Sequence, residues 1–102
     1  MKYSDSQFKA AVYEMVRLVP KGRVTTYGAI AKVVGFPNHS RHVGNAMGVC
    51  PKEVPAHRVV ASCGILRVEA FRIRLENEGI EIKNNRIQDF KNLFWDPQIE
   101  IE

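Results

Sequence analysis

Residues 24–48, VTTYGAIAKVVGFPNHSRHVGNAMG, decide how this chain folds. Thr25 or Thr26 offers a hydroxyl that can accept from the free amides of a first helical turn, and Ile30, Val33 and Val34 follow as an inward-facing stripe. Gly35 and Pro37 stop that helix, the glycine by reaching left-handed backbone and the proline by lacking an amide donor. Ser40 is read as the cap of a second helix. In it Val43, Ala46 and Met47 are apolar, while Arg41, Gly44, Asn45 and Gly48 recur at i, i+3, i+4 and i+7 on the opposite face. Two short helices joined by a tight turn, the second starting with arginine and carrying small residues outward, predict a helix-turn-helix.

Those small residues have two physical readings of equal weight. A bare helix face can approach a phosphate ribbon or enter a narrow groove, with Lys21, Arg23 and Arg41 meeting phosphates. The same glycines can instead allow two helices of the domain to pack closely.

Upstream, Ser4 and Gln7 form a capping box, and Phe8, Val12, Met15, Val16 and Val19 make the stripe of an amphipathic first helix that Pro20 stops. Downstream, HRVVAS (57–62) reads as a short buried strand and CGIL (63–66) as a turn with a possible return strand. Val68, Phe71 and Leu75 mark another helix, supported by Arg72–Glu76 and Arg74–Glu78 pairs and ended at Gly79. IEIK (80–83) turns at Asn84 and Asn85 toward RIQDF (86–90), and Phe94 and Trp95 are placed to clamp the C-terminal segment on the core or to line a pocket. The expected fold class is mainly α (α+β): a winged helix-turn-helix-like DNA-binding domain with a small β element, one domain over residues 1–102.

A chain of 102 residues with 45% hydrophobic content holds one modest core. Its net charge is +4, and most acids come late, at Glu76, Glu78, Glu81, Asp89, Asp96, Glu100 and Glu102. The basic first two-thirds suits a polyanion, although solvated charge without a partner fits equally. Neither a signal peptide nor a membrane-length apolar run is present, so Cys50 and Cys63 are expected as free, structural thiols in a cytoplasmic protein, nucleoid-associated if bacterial. His39, His42 and His57 combine with the cysteines in no familiar ligand spacing, so neither metal nor cofactor is expected.

VPKGRVTTYGAIAKVVGFP (19–37), SRHVGNAMG (40–48) and PAHRVV (55–60), in this order, resemble the active-site domain of O6-alkylguanine-DNA alkyltransferases over roughly residues 8–79. In those enzymes a Pro-Cys-His-Arg core takes the alkyl group from a flipped-out guanine; here Ala56 stands at the cysteine. RLENEGIEI (74–82) and FWDP (94–97) are similar to the ending of the alkyltransferase-like proteins, the non-catalytic relatives, in which tryptophan is frequent where Ala56 stands.

The resemblance implies duplex DNA containing O6-alkylguanine as partner, a monomeric binder, and a flag for nucleotide excision repair proteins. It makes Arg41 the finger entering the base stack and Tyr27 the residue pressing on the target nucleotide's phosphate. Gly44, Asn45, Gly48, Lys21 and Arg23 complete the DNA contacts. Tyr27, Met47, Val54, Pro55, Ala56, His57, Arg58, Val59, Ala61 and Ser62 form the alkylguanine pocket. Alkyl transfer needs a thiolate activated by a base, and Ala56 has only a methyl group. His57 then keeps a structural or hydrogen-bonding part, and the missing thiol leaves room for larger alkyl groups, each buried CH₂ contributing about 0.8 kcal/mol. Residues 65–70 form a short loop for the family, which either opens the pocket further or weakens binding.

Two other readings compete. One is an alkyltransferase whose cysteine was replaced by alanine to trap a substrate complex. The other is a winged-helix transcription factor reading undamaged sequence, which needs several base-reading side chains where this chain offers only Arg41 and Asn45.

Overall fold

The computed structural model describes residues 4–100; Glu102, the last of the late acids, lies outside them. Helix α1 (Asp5–Arg17) starts at the expected capping box, with the Ser4 hydroxyl accepting from the Gln7 amide and the Gln7 side chain accepting from the Ser4 amide. Its stripe of Phe8, Val12 and Val16 is fully buried against α2 (Tyr27–Val33) and α3 (Ser40–Met47), from which Ile30, Ala31, Val43 and Ala46 meet it. A hydrogen bond from the Tyr13 hydroxyl to the Ala46 carbonyl, 2.7 Å long, ties α1 to α3 across this core.

The sequence left Thr25 and Thr26 as alternative caps; the structure selects Thr26, whose hydroxyl accepts from the Ala29 amide at 3.0 Å. Thr25 is fully buried in strand β1 (Thr25–Thr26). Ser40 is not the cap of α3. That place belongs to His39, whose carbonyl already accepts from the His42 and Val43 amides, so the helical turn begins one residue earlier than a serine cap implies.

β1 pairs in parallel with β2 (Val59–Val60), Thr25 opposite Val59 and Thr26 opposite Val60. Parallel pairing brings the residues leading into α2 beside the single-turn 3₁₀ segment Ala56–Arg58, although about 30 residues of chain separate them in sequence. The expected return strand after β2 is a single bridge from Ala61 to Ile65. Its turn holds Cys63 at φ 63° and Gly64 at φ 78°, and a Cβ on Gly64 would stand 2.9 Å from Cδ1 of Phe90.

Helix α4 (Arg72–Asn77), preceded by the 3₁₀ turn Glu69–Phe71, leads to the hairpin β3 (Ile82–Lys83) and β4 (Arg86–Ile87), with left-handed Asn84 and Asn85 at its turn. Leu75, Ile80, Ile82 and Ile87 join Val24 and Val60 in a second apolar cluster. The short helices α5 (Phe90–Leu93) and α6 (Pro97–Glu100) follow. Trp95 is buried, and its amide donates to the Val24 carbonyl at 2.7 Å, so the clamping reading of the C-terminal aromatics holds for it. Among the described residues no helix is long and apolar enough to cross a membrane.

The i, i+4 pairs expected on α4 do not form. Arg72 reaches back to Glu69 at 2.6 Å and across to Asn85, while Arg74 lies over the Phe71 ring at 6.0 Å. Glu78, one residue beyond the helix, turns inward to His57 and Arg58. A carboxylate with buried cationic and N–H partners gains more from them than from an exposed pair across one helical turn.

Candidate DNA-binding site

Two depressions adjoin the helix-turn-helix. The outer one, an open cavity of about 540 Å³, is lined by Tyr27 and Gly28 of α2, Ser40, Arg41, Gly44 and Asn45 of α3, and Ala61, Ser62 and Arg67 from the chain after β2. The inner one, about 260 Å³, is walled by Tyr27, Gly44, Met47, Gly48, Ala56, Val68 and Phe71. Tyr27 and Gly44 belong to both walls and so mark the passage between them.

A Cβ built on Gly44 meets nothing within 4 Å, and the same holds for Gly28. Close helix packing therefore does not account for either glycine. A mid-helix glycine costs roughly 0.5–1 kcal/mol against alanine, and at Gly44 what remains is a bare surface open to the two cavities. Arg41 is exposed and makes no ion pair among the described residues. Burial pushes the Tyr27 phenol above its ordinary range, with nearby Arg67 pulling weakly the other way, so the hydroxyl stays protonated and able to donate.

The inner cavity rests on a buried polar triangle. Glu78 Oε2 accepts from His57 Nε2 at 2.6 Å and from Arg58 Nη2 at 2.8 Å, and Oε1 accepts from Arg58 Nε at 3.1 Å and from the Gly22 amide at 3.0 Å. Arg58 Nη1 also donates to the Val19 carbonyl at 2.9 Å. Side-chain exposures of 6% for His57, 9% for Glu78 and 17% for Arg58 place these charges out of water. Burial alone would raise the Glu78 carboxyl, but the bonds from Arg58, Gly22 and His57 outweigh it and hold the group at about 2. Burial lowers His57 despite the carboxylate beside it, leaving a neutral ring that donates through Nε2. Its Nδ1 is buried with no hydrogen-bond partner among the described residues.

The expected pocket residues divide. Tyr27, Met47 and Ala56 line the inner cavity, while Ala61 and Ser62 line the outer one. Val54 and Val59 are packed into the core beneath. Pro55, His57 and Arg58 are not among the residues lining either cavity, because the 3₁₀ turn directs His57 and Arg58 to Glu78. Of the expected DNA contacts, Arg41, Gly44 and Asn45 share the outer wall, Gly48 lies on the inner one, and Lys21 is exposed on its turn. Arg23 is directed elsewhere: Nε donates to the Leu93 carbonyl at 3.0 Å and Nη2 to the Phe94 carbonyl at 2.8 Å, with Glu100 3.4 Å away. Its guanidinium caps the Phe94 carbonyl at the end of α5 and shares the Leu93 carbonyl with the Val24 amide, an internal use that no local sequence pattern reveals.

Sequence reasoning missed Arg67, Val68, Phe71 and Glu78. The first two sit in the short loop after Ile65, and the helical stripe expected through Val68 and Phe71 does not form, since α4 starts only at Arg72 and Phe71 ends the preceding turn. The Phe71 ring lies 6.4 Å from that of His57. No local pattern marks such positions, since a chain crossing fills the cavity wall.

A helix-turn-helix whose outer face carries a basic depression, with a smaller cavity behind its second helix, is the class that this fold and site define. The DNA-binding domain of 6-O-methylguanine DNA methyltransferase matches residues 7–89. A DNA base-flipping protein of Vibrio parahaemolyticus is 35% identical over 98 residues, covering 89% of this chain and 98% of its own. Alkyltransferase-like protein 1 of Schizosaccharomyces pombe is 38% identical over 104 residues, covering 89% and 96%. The crystal structure of S. pombe Atl1 in complex with damaged DNA containing O6-carboxymethylguanine superposes with a TM-score of 0.79 at 33% identity, over 93% of this chain and 98% of that one. The chain belongs to the 6-O-methylguanine DNA methyltransferase family, by its DNA-binding domain.

Proposed function

We propose that this protein is a non-enzymatic DNA-damage sensor that binds O6-alkylguanine in duplex DNA, rotates the base out of the stack and holds it without transferring the alkyl group. The observation that carries the reading is Ala56: it lines the inner cavity, next to buried His57, where the family resemblance sets the alkyl-accepting cysteine. A methyl group offers no nucleophile, while the cavity and its approach remain.

Taking a base out of the stack costs a few kcal/mol. Arg41 offsets part of this by entering the gap, its planar guanidinium stacking on neighbouring bases and hydrogen-bonding the orphaned one. Tyr27 presses on the target phosphate from the passage, and Gly44 leaves the width through which the base moves. The O6 substituent then lies beside Ala56, with Phe71 and Val68 as apolar walls. The protein acts as a monomer in the cytoplasm, and the bound lesion is a flag for nucleotide excision repair.

Binding at fixed salt to matched duplexes with guanine or O6-methylguanine at one position tests this. Tighter binding of the lesion and an unchanged intact-protein mass are expected. Equal affinities, or a methyl group gained on Cys50 or Cys63, refute it.

One observation favours the second reading, an alkyltransferase disabled by a cysteine-to-alanine replacement. The His57–Glu78 pair remains assembled although it has no thiol to serve. The codon for residue 56 in the natural gene separates the two.

A further inference from the structure

Beside the outer and inner cavities, the helix-turn-helix borders a third, unassigned depression. It measures about 300 Å³ and lies between α2 and the C-terminal segment, with Thr26, Gly28, Lys32, Phe94 and Asp96 in its wall. Gly28 lines this groove and the outer cavity alike, so the two adjoin at it. No packing requirement accounts for this glycine, because its Cβ would meet nothing within 4 Å. Lys32 lies four residues further along α2, about 6 Å on, is exposed, and forms no ion pair among the described residues. A bare saddle with cations on both sides, Arg41 and Arg67 in one hollow and Lys32 in the other, suits a phosphodiester chain crossing it.

We propose that the groove beside Lys32 continues the DNA track beyond the base-flipping cavity, with Gly28 as the saddle that the sugar-phosphate backbone crosses and Lys32 as a phosphate contact. This rests on the reading that DNA occupies the outer cavity. Asp96 opposes the backbone from the far wall, where its Oδ1 accepts from the Gln98 amide at 3.0 Å. The carboxylate thus weakens the track while capping α6. Asparagine retains the accepting oxygen and removes the charge. Lys32 carries no sequence information and contributes equally on damaged and undamaged duplexes.

Fluorescence anisotropy on the duplex with one O6-methylguanine and its guanine match, between about 50 and 200 mM salt, separates the terms. Lys32→Ala is expected to reduce the slope of log affinity against log salt by about 0.9 on both duplexes, with the ratio of their affinities unchanged. Asp96→Asn is expected to tighten both. Lys83→Ala, on the β3–β4 hairpin beside Glu81, controls for net charge and leaves the slope at the wild-type value. An unchanged slope for Lys32→Ala, a reduction equalled by Lys83→Ala, or no gain from Asp96→Asn overturns the track. Failure of the sensor reading looks different: the wild type then binds both duplexes equally, while the loss of slope in Lys32→Ala persists. A wild type that binds neither duplex overturns both.

Discussion

His57 Nε2 stands 2.6 Å from Oε2 of Glu78, a carboxylate 21 residues further along the chain that also takes both Arg58 and the Gly22 amide. This one side chain holds the basic turn after α1, the floor of the inner cavity and the end of α4 in register.

Acid should therefore act on this triangle in two stages. The Glu78 carboxyl lies near 2 in the fold against an ordinary 4.5, so the stability it contributes is complete above about 4.5 and is lost as pH falls toward 2. His57 is also lowered from 6.5, so the unfolded chain takes up its proton first and stability already begins to decline below about 6.5. Chemical unfolding across this range should show both stages. Glu78→Gln should cost about 3 kcal/mol near neutral pH, leaving Arg58 without its counter-charge, and should abolish the lower stage. Retention of that stage in the variant would place its origin elsewhere.

Arg23 and Arg41 should separate cleanly. Arg41→Ala is expected to weaken lesion binding strongly and leave thermal stability at the wild-type value, since the side chain is exposed and unpaired among the described residues. Arg23→Ala should lower stability by about 1–3 kcal/mol, chiefly through the Phe94 carbonyl left without a donor, since the Leu93 carbonyl keeps the Val24 amide; the salt slope of DNA binding should be unchanged. Calorimetry and anisotropy on both variants check the assignment.

Gly44→Ala should move stability and binding in opposite directions. The added methyl meets nothing in the protein and removes a mid-helix glycine, so folding should gain up to about 1 kcal/mol. The same methyl narrows the passage beside Tyr27, and affinity for the lesion duplex should fall. A variant both stabler and equally tight would remove Gly44 from the base's route.

Ala56→Cys tests whether residue 56 occupies the nucleophile's place. A thiol there would lie next to His57, whose partner Glu78 keeps the ring oriented. Incubation with O6-methylguanine DNA should add one methyl group to the protein, located on the introduced thiol by peptide mass mapping; an unmodified thiol would mean that the cavity does not deliver the alkyl carbon to this position.

The helical half of the fold was legible because its signals are local. The capping box at Ser4, the stripe from Phe8 to Val16 and the apolar and small-residue faces of α3 each lie within a few residues. Only the structure shows that the face at Gly44 is open rather than packed against another helix. The cavity was half legible. Ala56, Met47 and Tyr27 were found through the family motifs, but motif neighbours Val54, Val59 and Arg58 were swept in with them, since adjacency in sequence does not say which way a 3₁₀ turn points its side chains.

Sequence by itself determined the helix-turn-helix, the alanine at residue 56 and the family. Tertiary structure alone decided how the charges are used. Arg23 was drawn to the carbonyls of α5 and Glu78 away from Arg74, because a charge meeting several donors or acceptors out of water is held far more strongly than one in a solvated pair. It also decided that Arg67, Val68 and Phe71 wall the cavities, a placement made by chain crossings that no local spacing encodes.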